Sequence, residues 1–451
     1  MKRKSWMICI ILAVLTLLCT GCDLSDRDSL FALPELSGEY AHLQKELDKV
    51  LAEGASYTVA STGSVRSSVQ LSDLDGDGRA EAIGLFLSAE GVPEVHVFRM
   101  SDTACTRMGK ITGVGIGVRE IRYFSRGTQG QKALAVSWAY ENEARYYGMT
   151  VAGIGGGEVF SMLDLQYNSC LPMDLDEDGV EELTFVRPGK ENEAHSACIY
   201  QLEGGSYRLL TQTMLCSEAQ TVLQMRYDQA IEGQRALVVD SSAVSGGYVT
   251  DVMPFDGVQL ENLTRDPMTG SGMECWRQIA LPSYDIDGDG LLEIPVSQIA
   301  EGIPQDKARV TWKDLTKTGE TKPVRLAYHK LDEGWGLSWP KNWPVELNAG
   351  VFAEFSNRET VTTTVFYTWV ADAETEQLRK QTLLTVWGFH GEDRVRIRTQ
   401  HYLVKPLNET GDILFGFTLP TEDLSADRGL TEAQVRELFF LVSGSLEGGN
   451  E

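Results

Sequence analysis

A nine-residue acidic segment occurs three times in this chain, and it constrains the fold more than any other feature. The copies are DLDGDGRAE at 73–81 (loop 1), DLDEDGVEE at 174–182 (loop 2) and DIDGDGLLE at 285–293 (loop 3). Each copy has acidic residues at positions 1, 3, 5 and 9, glycine at position 6 and an aliphatic residue at position 2. Four carboxylates within nine residues repel one another and raise each other's pKa values unless a cation neutralises them.

The carboxylates and the glycine together predict a cation-binding loop. Hard oxygen ligands suit calcium, and the glycine at position 6 permits the sharp turn that wraps a chain around an ion. We therefore predict three calcium loops. Their predicted side-chain ligands are Asp73, Asp75, Asp77, Glu81, Asp174, Asp176, Asp178, Glu182, Asp285, Asp287, Asp289 and Glu293. The alternative is a solvated acidic turn without an ion, which three copies with the same spacing disfavour.

The loops do not have the pattern of an EF-hand. That motif needs a bidentate glutamate at position 12 and a helix on each side. Position 12 is Gly84, Phe185 or Val296 in this chain, and the fourth acid already comes at position 9. The flanking segments, such as 68–71 and 82–87, have the composition of strands rather than helices.

A D-x-D-x-D-G-x-x-E loop between two strands resembles the calcium loops of FG-GAP/VCBS-type repeats, which occur in integrin-α-like β-propellers. In that family the side chains at positions 1, 3, 5 and 9 and the carbonyl at position 7 hold the ion. The resemblance implies that the carbonyls of Arg79, Val180 and Leu291 complete the three sites. It covers about residues 60–335, and the order of segments resembles that of VCBS-type lipoproteins of Firmicutes.

The spacing of the loops predicts the number of repeats. The loops recur roughly every hundred residues, which is the length of two four-stranded propeller blades. The intervening stretches contain short apolar strands without an acidic loop. We therefore predict a mainly β chain of β-propeller-like repeats, in which calcium-bearing and plain blades alternate. The predicted blades are 60–112, 114–163, 166–216, 219–263 and 275–335, and six blades is the alternative count.

Residues 1–21 have the form of a lipoprotein signal peptide. Basic residues at positions 2–4 precede an apolar run that is too short for a comfortable membrane span. The run ends at Leu18-Cys19-Thr20-Gly21-Cys22, which resembles a bacterial lipobox with Cys22 as the lipid-bearing residue. The alternative is cleavage by ordinary signal peptidase, in which case Cys22 is incidental.

The C-terminal segment has long alternating strands and no acidic loop, which predicts a smaller α+β domain. Its closing helix begins at Thr431, and Gln434 completes a capping box. Trp335, Trp339 and Trp343 stand at the entrance to this segment, where they could pack in a core or stack on a sugar. The predicted division is 1–21 signal peptide, 22–55 tether and short helix, 56–335 propeller with three calcium loops, and 336–446 α+β domain.

Charge and cysteine content limit the classes of partner and of cross-link. The formal net charge is −25, and loss of the signal peptide makes it three units more negative. A surface this acidic disfavours nucleic acid and anionic lipid, because neutralising phosphates requires clustered Lys and Arg. Five cysteines follow Cys22, at 105, 170, 198, 216 and 275. An odd number without C-x-x-C favours buried free thiols, and a Cys198–Cys216 pair is the alternative.

The sequence shows no catalytic motif, which favours a binding function. The six histidines are scattered, and neither H-E-x-x-H nor G-x-S-x-G occurs. We expect a protein that is lipid-anchored to the outer face of the bacterial cytoplasmic membrane. Its calcium-stabilised propeller would act as an interaction module for a protein or carbohydrate. The alternative is a surface enzyme or carbohydrate-processing accessory with a site in the propeller channel, which converging carboxylates or a histidine in a cavity outside the loops would favour.

Overall fold

The structure is a computed structural model of the chain. The predicted signal peptide, Cys22 and the first part of the tether lie outside the described residues. The structure describes residues 38–446 except 128, 141–145, 191–192, 298–308, 344–347, 357–358, 372–376, 402, 422–423, 425–427 and 443–445. Within these ranges, no helix combines the length and the apolar character that crossing a bilayer requires.

The first element is helix α1 (Gly38–Ala52), where the apolar spacing predicts a helix. Leu43, Leu47 and Val50 recur at intervals of three and four residues and are buried. The chain leaves the helix at Gly54, whose φ of +95° is favourable only for glycine. The helix therefore presents one apolar stripe to the sheet that follows it.

Five antiparallel sheets, here called blades 1 to 5, follow α1 in the described part of the chain. Blade 1 contains β1 (Ser56–Tyr57), β2 (Val69–Ser72), β3 (Glu81–Leu87), β4 (Pro93–Met100) and β5 (Cys105–Thr112). Blade 2 contains β6 (Gly117–Ser125), β7 (Lys132–Ala139), β8 (Tyr147–Gly155) and β9 (Glu158–Tyr167). Blade 3 contains β10 (Ser169–Met173), β11 (Glu182–Arg187), β12 (Ser196–Glu203) and β13 (Ser206–Met214).

The last two blades have the same meander order. Blade 4 contains β14 (Ala219–Ile231), β15 (Gln234–Ala243), β16 (Tyr248–Pro254) and β17 (Trp276–Arg277). Blade 5 begins with β18 (Ile294–Ser297), β19 (Arg309–Leu315), β20 (Thr321–Lys330) and β21 (Trp335–Ser338). The fold is thus mainly β with propeller-like repeats, as the sequence predicts.

The predicted end of blade 4 at residue 263 is wrong. Its fourth strand is β17, in which Arg277 pairs with Tyr248 of β16. The chain between β16 and β17 makes a long excursion that includes a 3₁₀ turn at Met273–Cys275. A two-residue strand carries no alternation pattern, so the sequence placed this stretch at the start of blade 5.

Neighbouring blades pack face to face, and this packing accounts for the apolar runs in the sequence. Residues Glu81 to Phe86 of β3 are all buried, because both faces of this strand are covered. A strand covered on both faces is apolar at most consecutive positions. Blade 1 shares a core with blade 2, blade 2 with blade 3, and blade 3 with blades 4 and 5. Representative core residues are Ile83, Val97, Trp138, Val151, Phe185, Ile199, Val238, Val252 and Ile294.

Each end of this array is covered by an element that is not a blade. Blade 1 directs Ile83 and Leu85 toward blade 2, and it directs Ala82 and Phe86 of the same strand toward α1. Blade 5 directs Tyr328 and its neighbours toward a sixth sheet. That sheet contains β22 (Asn348–Ser356), β23 (Glu359–Ala371), β24 (Leu378–His390), β25 (Lys405–Thr410) and β26 (Ile413–Thr418).

The three tryptophans at the domain entrance belong to the core between blade 5 and the sixth sheet. Trp335, Trp339 and Trp343 are buried and pack around Phe366 of β23 and Phe415 of β26. Their rings are therefore not available for stacking on a sugar in this arrangement. Packing, the other interpretation of this triplet, is confirmed.

The end of the chain returns to blade 5. Helix α2 (Arg394–Gln400) packs on the sixth sheet, and helix α3 (Glu432–Leu438) begins with the predicted capping box of Thr431 and Gln434. Strand β27 (Phe439–Leu441) then pairs with β21 as the fifth strand of blade 5. The predicted domain boundary between 335 and 336 falls inside β21, and one core spans both sides of it.

The five cysteines after Cys22 are free thiols, and three of them are buried. Cys198 of β12 lies opposite Gln212 of β13, so it is not the neighbour of Cys216. Cys216 instead lies beside Cys275, and both thiols point toward the carbonyl oxygen of Thr264, at 3.7 and 4.0 Å.

Candidate metal centres

Each acidic loop closes a hairpin in the same register. The residue before position 1 pairs with the glutamate at position 9 in all three loops. These pairs are Ser72 with Glu81, Met173 with Glu182, and Tyr284 with Glu293. The common register means that one turn structure is built three times, in blades 1, 3 and 5.

The aspartate at position 1 organises each loop. One of its oxygens accepts a hydrogen bond from the backbone N–H of position 6, at 2.9 Å in all three loops. The other oxygen accepts from position 4 in loops 1 and 3 and from position 5 in loop 2. The turn also needs left-handed backbone at position 4, which is Gly76 (φ +78°), Gly288 (φ +83°) or Glu177 (φ +62°). A glutamate in this conformation costs about 1–2 kcal/mol.

The glutamate at position 9 is the buried member of each loop. Glu81, Glu182 and Glu293 are 1%, 2% and 0% exposed. One carboxylate oxygen of each accepts the backbone N–H of position 2, at 3.0, 2.8 and 2.7 Å. The second oxygen of Glu182 and of Glu293 is buried and has no hydrogen-bond partner in the described structure. A buried carboxylate oxygen without a donor requires a cation to be stable as an anion.

Burial raises the pKa values of all three position-9 glutamates. Burial raises the pKa of Glu81 and of Glu182, and the aspartates of the same loop raise these values further. Burial raises the pKa of Glu293 from its ordinary value of 4.5 to about 7, with Asp287 and Asp285 adding to the effect. A bound cation would oppose these shifts, because it would stabilise the ionised carboxylates.

The carboxylates of each loop converge closely enough to hold a metal ion. Ligand oxygens from positions 1, 3 and 9 lie within 4.8 Å of one another in every loop. Position 5 joins this group in loop 3 through Asp289, whereas Asp77 and Asp178 lie outside it. In each loop an oxygen of position 5 accepts the N–H of position 7, at 2.7–2.8 Å. The donor set consists of oxygens only, which is the chemistry of a hard divalent cation.

One residue that faces each loop is not part of the repeated segment. It lies on the third strand of the hairpin meander, beside the position-9 glutamate. The registers end with Ala82 opposite Phe98, Leu183 opposite Tyr200 and Ile294 opposite Lys313, so the next residues, Arg99, Gln201 and Asp314, lie beside Glu81, Glu182 and Glu293. Sequence analysis could not find these residues, because they follow the loops by different numbers of residues and share no side-chain type.

A buried ion pair lies in blade 4, away from the loops. Arg277 of β17 donates to Asp240 of β15 at 2.8 Å, and both side chains are fully buried. The hydroxyls of Thr250 and Ser283 donate to the same oxygen, and Arg226 donates to the other oxygen. Although burial acts to raise it, the guanidinium groups of Arg277 and Arg226 hold the pKa of Asp240 below its usual value. Both carboxylate oxygens of Asp240 therefore accept hydrogen bonds from the protein itself, and we interpret the cluster as a structural network.

A polar cavity of about 840 Å³ lies beside blade 2 and the segment that joins β1 to β2. Arg66, Arg119, Arg122, Glu120 and Tyr147 line it. Arg122 donates to Glu120 at 2.9 Å, and the Arg119 guanidinium lies 4.1 Å from the centre of the Tyr147 ring. Guanidinium groups of this kind suit anionic or hydroxyl-bearing ligands. Among the described residues that line the cavity, Glu120 is the one carboxylate and none is a histidine.

The comparisons with known proteins give only distant structural similarities. No family model matches it. No curated protein matches it. The chain is similar to the solved β-propeller domain of the Trilobed protease from Pyrococcus furiosus, with 12% identity, a TM-score of 0.25, and 72% of this chain and 92% of that one covered.

Two further solved structures show similar overlap. One is the WD40 domain of SCAP from fission yeast, with 10% identity, a TM-score of 0.25, and coverage of 75% of this chain and 68% of that one. The other is TolB from Acinetobacter baumannii, with 9% identity, a TM-score of 0.21, and coverage of 63% and 69%. At these scores the similarities support no conclusion about activity or partners.

Proposed function

We propose that this chain is an exported, lipid-anchored interaction module whose propeller-like blades are stabilised by three calcium ions. One observation carries the calcium part of the proposal. The same hairpin register brings three carboxylates together in each loop, and the position-9 carboxylate is withdrawn from solvent. Burying an unpaired anion is unfavourable in free energy, so three such buried carboxylates are expected only if a cation completes each site.

The oxygen-only donor set favours calcium over other cations. Zinc and copper sites use histidine or cysteine ligands, and neither residue type belongs to the three ligand groups. Magnesium demands near-ideal octahedral geometry and retains its waters, whereas calcium accepts irregular carboxylate loops. For an extracellular module we expect dissociation constants of about 10⁻⁴ to 10⁻³ M.

The distribution of charged groups favours binding rather than catalysis. The carboxylates that converge in the loops are ligands, and a metal-bound carboxylate is a weak base. The buried Asp240 already has four side-chain donors, and the described lining of the polar cavity offers three arginines beside one carboxylate. We propose this cavity as the binding site for a protein or a carbohydrate that presents anionic or hydroxyl groups to it.

Counting bound ions tests the calcium proposal. Calorimetric titration of residues 23–451 with calcium is expected to show about three equivalents. The double variant Asp75→Ala, Asp77→Ala should bind one equivalent less, because it removes two predicted ligands of loop 1. The double variant Asp266→Asn, Asp332→Asn serves as the control, since both aspartates are exposed and lie outside the loops. An unchanged stoichiometry in the loop 1 variant would exclude that loop as a site.

Membrane retention tests the proposed anchor. In a bacterial host, the full chain is expected to fractionate with membranes, and Cys22→Ala should release most of it into the soluble fraction. An acylated cysteine anchors a protein through more than one chain, whereas an unmodified one has no membrane affinity. Cys105→Ala, which changes a free thiol outside the lipobox, is the matched control and should remain in the membrane fraction. Retention of the Cys22 variant would show that another segment is the anchor.

A further inference from the structure

The three loops are alike in sequence, but the residue on the neighbouring strand gives each a different charge environment. Arg99, Gln201 and Asp314 occupy one structural position, beside the position-9 glutamate. The side chain at this position is therefore positive at loop 1, neutral at loop 2 and negative at loop 3. A cation bound in the loop would experience this difference directly.

At loop 1 the neighbouring side chain, Arg99, already interacts with carboxylate oxygens of the predicted ligands. Arg99 donates to one oxygen of Asp75, and its Nε lies 3.7 Å from an oxygen of Glu81. These are the ligands at positions 3 and 9. The guanidinium group thus neutralises part of the charge that a metal ion would neutralise, and the ion must compete with it for the same oxygens.

At loop 2 the neighbouring side chain makes the same contact without a charge. Gln201 donates from Nε2 to Asp176 at 3.2 Å, so it also contacts the ligand at position 3. The hydrogen bond orients that carboxylate but does not neutralise it. The second oxygen of Glu182 remains buried without a donor, and it faces a cavity that Asp176 and Gln201 also line.

At loop 3 the neighbouring side chain adds a fifth carboxylate. One oxygen of Asp314 is buried and has no hydrogen-bond partner in the described structure, like the second oxygen of Glu293. Asp314 follows Lys313, which pairs with Ile294, so it lies beside Glu293 at the edge of the loop.

The cationic groups around loop 3 do not occupy its ligand oxygens as Arg99 does at loop 1. Arg325 of β20 donates to the backbone carbonyl oxygen of Ile286 at 3.0 Å. Lys322 pairs with Asp314 across β19 and β20, where its charge partly offsets that of the carboxylate. All four side chains of loop 3 that the sequence predicts as ligands converge, whereas three converge in loops 1 and 2.

We propose that the loops form a graded series of divalent-cation sites, in which loop 3 fills first with Asp314 as an additional carboxylate, loop 2 follows and loop 1 fills last. The inference rests on the proposed calcium function and specifies the order within it. Blade 5, next to the sixth sheet, is then stabilised at low calcium, and blade 1, next to α1, only at higher calcium.

Calcium titrations of charge-exchange variants test this order by calorimetry. Asp314→Asn should weaken the tightest site by at least about tenfold, because a unit charge within ~4 Å of a divalent ion changes its affinity by more than that even in water. Asp332→Asn is the matched control, since it removes the same charge from an exposed turn of blade 5 and should change no affinity. Arg99→Gln, which gives loop 1 the side chain of loop 2, should tighten the weakest site by a similar factor.

The second loop allows the same test in both directions. Gln201→Glu should tighten the intermediate site, and Gln201→Arg should weaken it. Circular dichroism in chelator establishes that each variant is folded before it is titrated. Three sites of equal affinity, or an unchanged tightest site in Asp314→Asn, would overturn the graded series while leaving the calcium function intact. Absence of bound calcium in the wild-type protein would overturn both.

Discussion

Calcium is expected to raise the thermal unfolding midpoint of residues 23–451 by on the order of 10 °C. At 10 mM calcium and dissociation constants of about 10⁻⁴ to 10⁻³ M, each site adds roughly 1.4–2.7 kcal/mol to the free energy of unfolding. Three independent sites add roughly 4–8 kcal/mol, which gives a shift of this size in a protein of several hundred residues. The measurement compares differential scanning calorimetry in calcium and in chelator.

The same experiment has a pH dependence whose sign follows from Glu293. Burial raises the pKa of Glu293 from 4.5 to about 7, so the metal-free native state binds a proton more tightly than the unfolded state. Stability of the metal-free protein should therefore fall as pH rises from about 5 through 7. Calcium should abolish this fall, because the ion replaces the proton.

Magnesium at the same concentration is the control for ionic strength and non-specific charge screening. It should produce a much smaller shift, because its octahedral geometry does not suit a flexible carboxylate loop. Equal midpoints in calcium and in chelator would show that the three loops are solvated acidic turns.

Replacing Asp240 by asparagine is expected to destabilise the protein by about 3–5 kcal/mol. The substitution keeps the shape of the side chain but leaves the fully buried Arg277 without an anionic partner, and an uncompensated buried charge has a cost of this size. Urea unfolding followed by tryptophan fluorescence measures the change, and calcium should be held constant because it stabilises the native state independently.

Asp228→Asn is the matched control for this substitution. Asp228 also pairs with Arg226, at 3.5 Å, but its side chain is 49% exposed. A surface ion pair contributes about 0–1 kcal/mol, so the control should lie within that range. If both variants lose the same small amount, the Asp240–Arg277 pair does not stabilise blade 4 in the manner proposed here.

Features governed by local sequence could be predicted well. The acidic loops, the flanking strands, α1 and the capping box at Thr431 depend on residues that are close together in the chain. The number of blades followed from the loop spacing and from continuous apolar runs such as that of β3, which indicate burial on both faces. The assignment of calcium ligands stays a prediction, although the side chains at positions 1, 3 and 9 of each loop converge.

Features governed by strand register could not be predicted. Asp314 lies beside Glu293 only because β18 and β19 pair in one register, and several residues could occupy that position after a loop of unknown length. The same holds for Arg277, which reaches Asp240 from a two-residue strand 37 positions further along the chain. The return of β27 to blade 5 required a strand to cross from the sixth sheet, which no local pattern indicates.

The covers at the two ends of the blade array have a mechanical consequence. Because α1 covers blade 1, force applied at the N-terminus acts first on the contact between α1 and Phe86, Phe98 and Met100. Under tension at the N-terminus, we therefore expect α1 and blade 1 to detach before the blades that follow them. Detachment of α1 would also expose an apolar sheet face that a second molecule could cover. By covering this face, the helix opposes end-to-end association of copies of the protein.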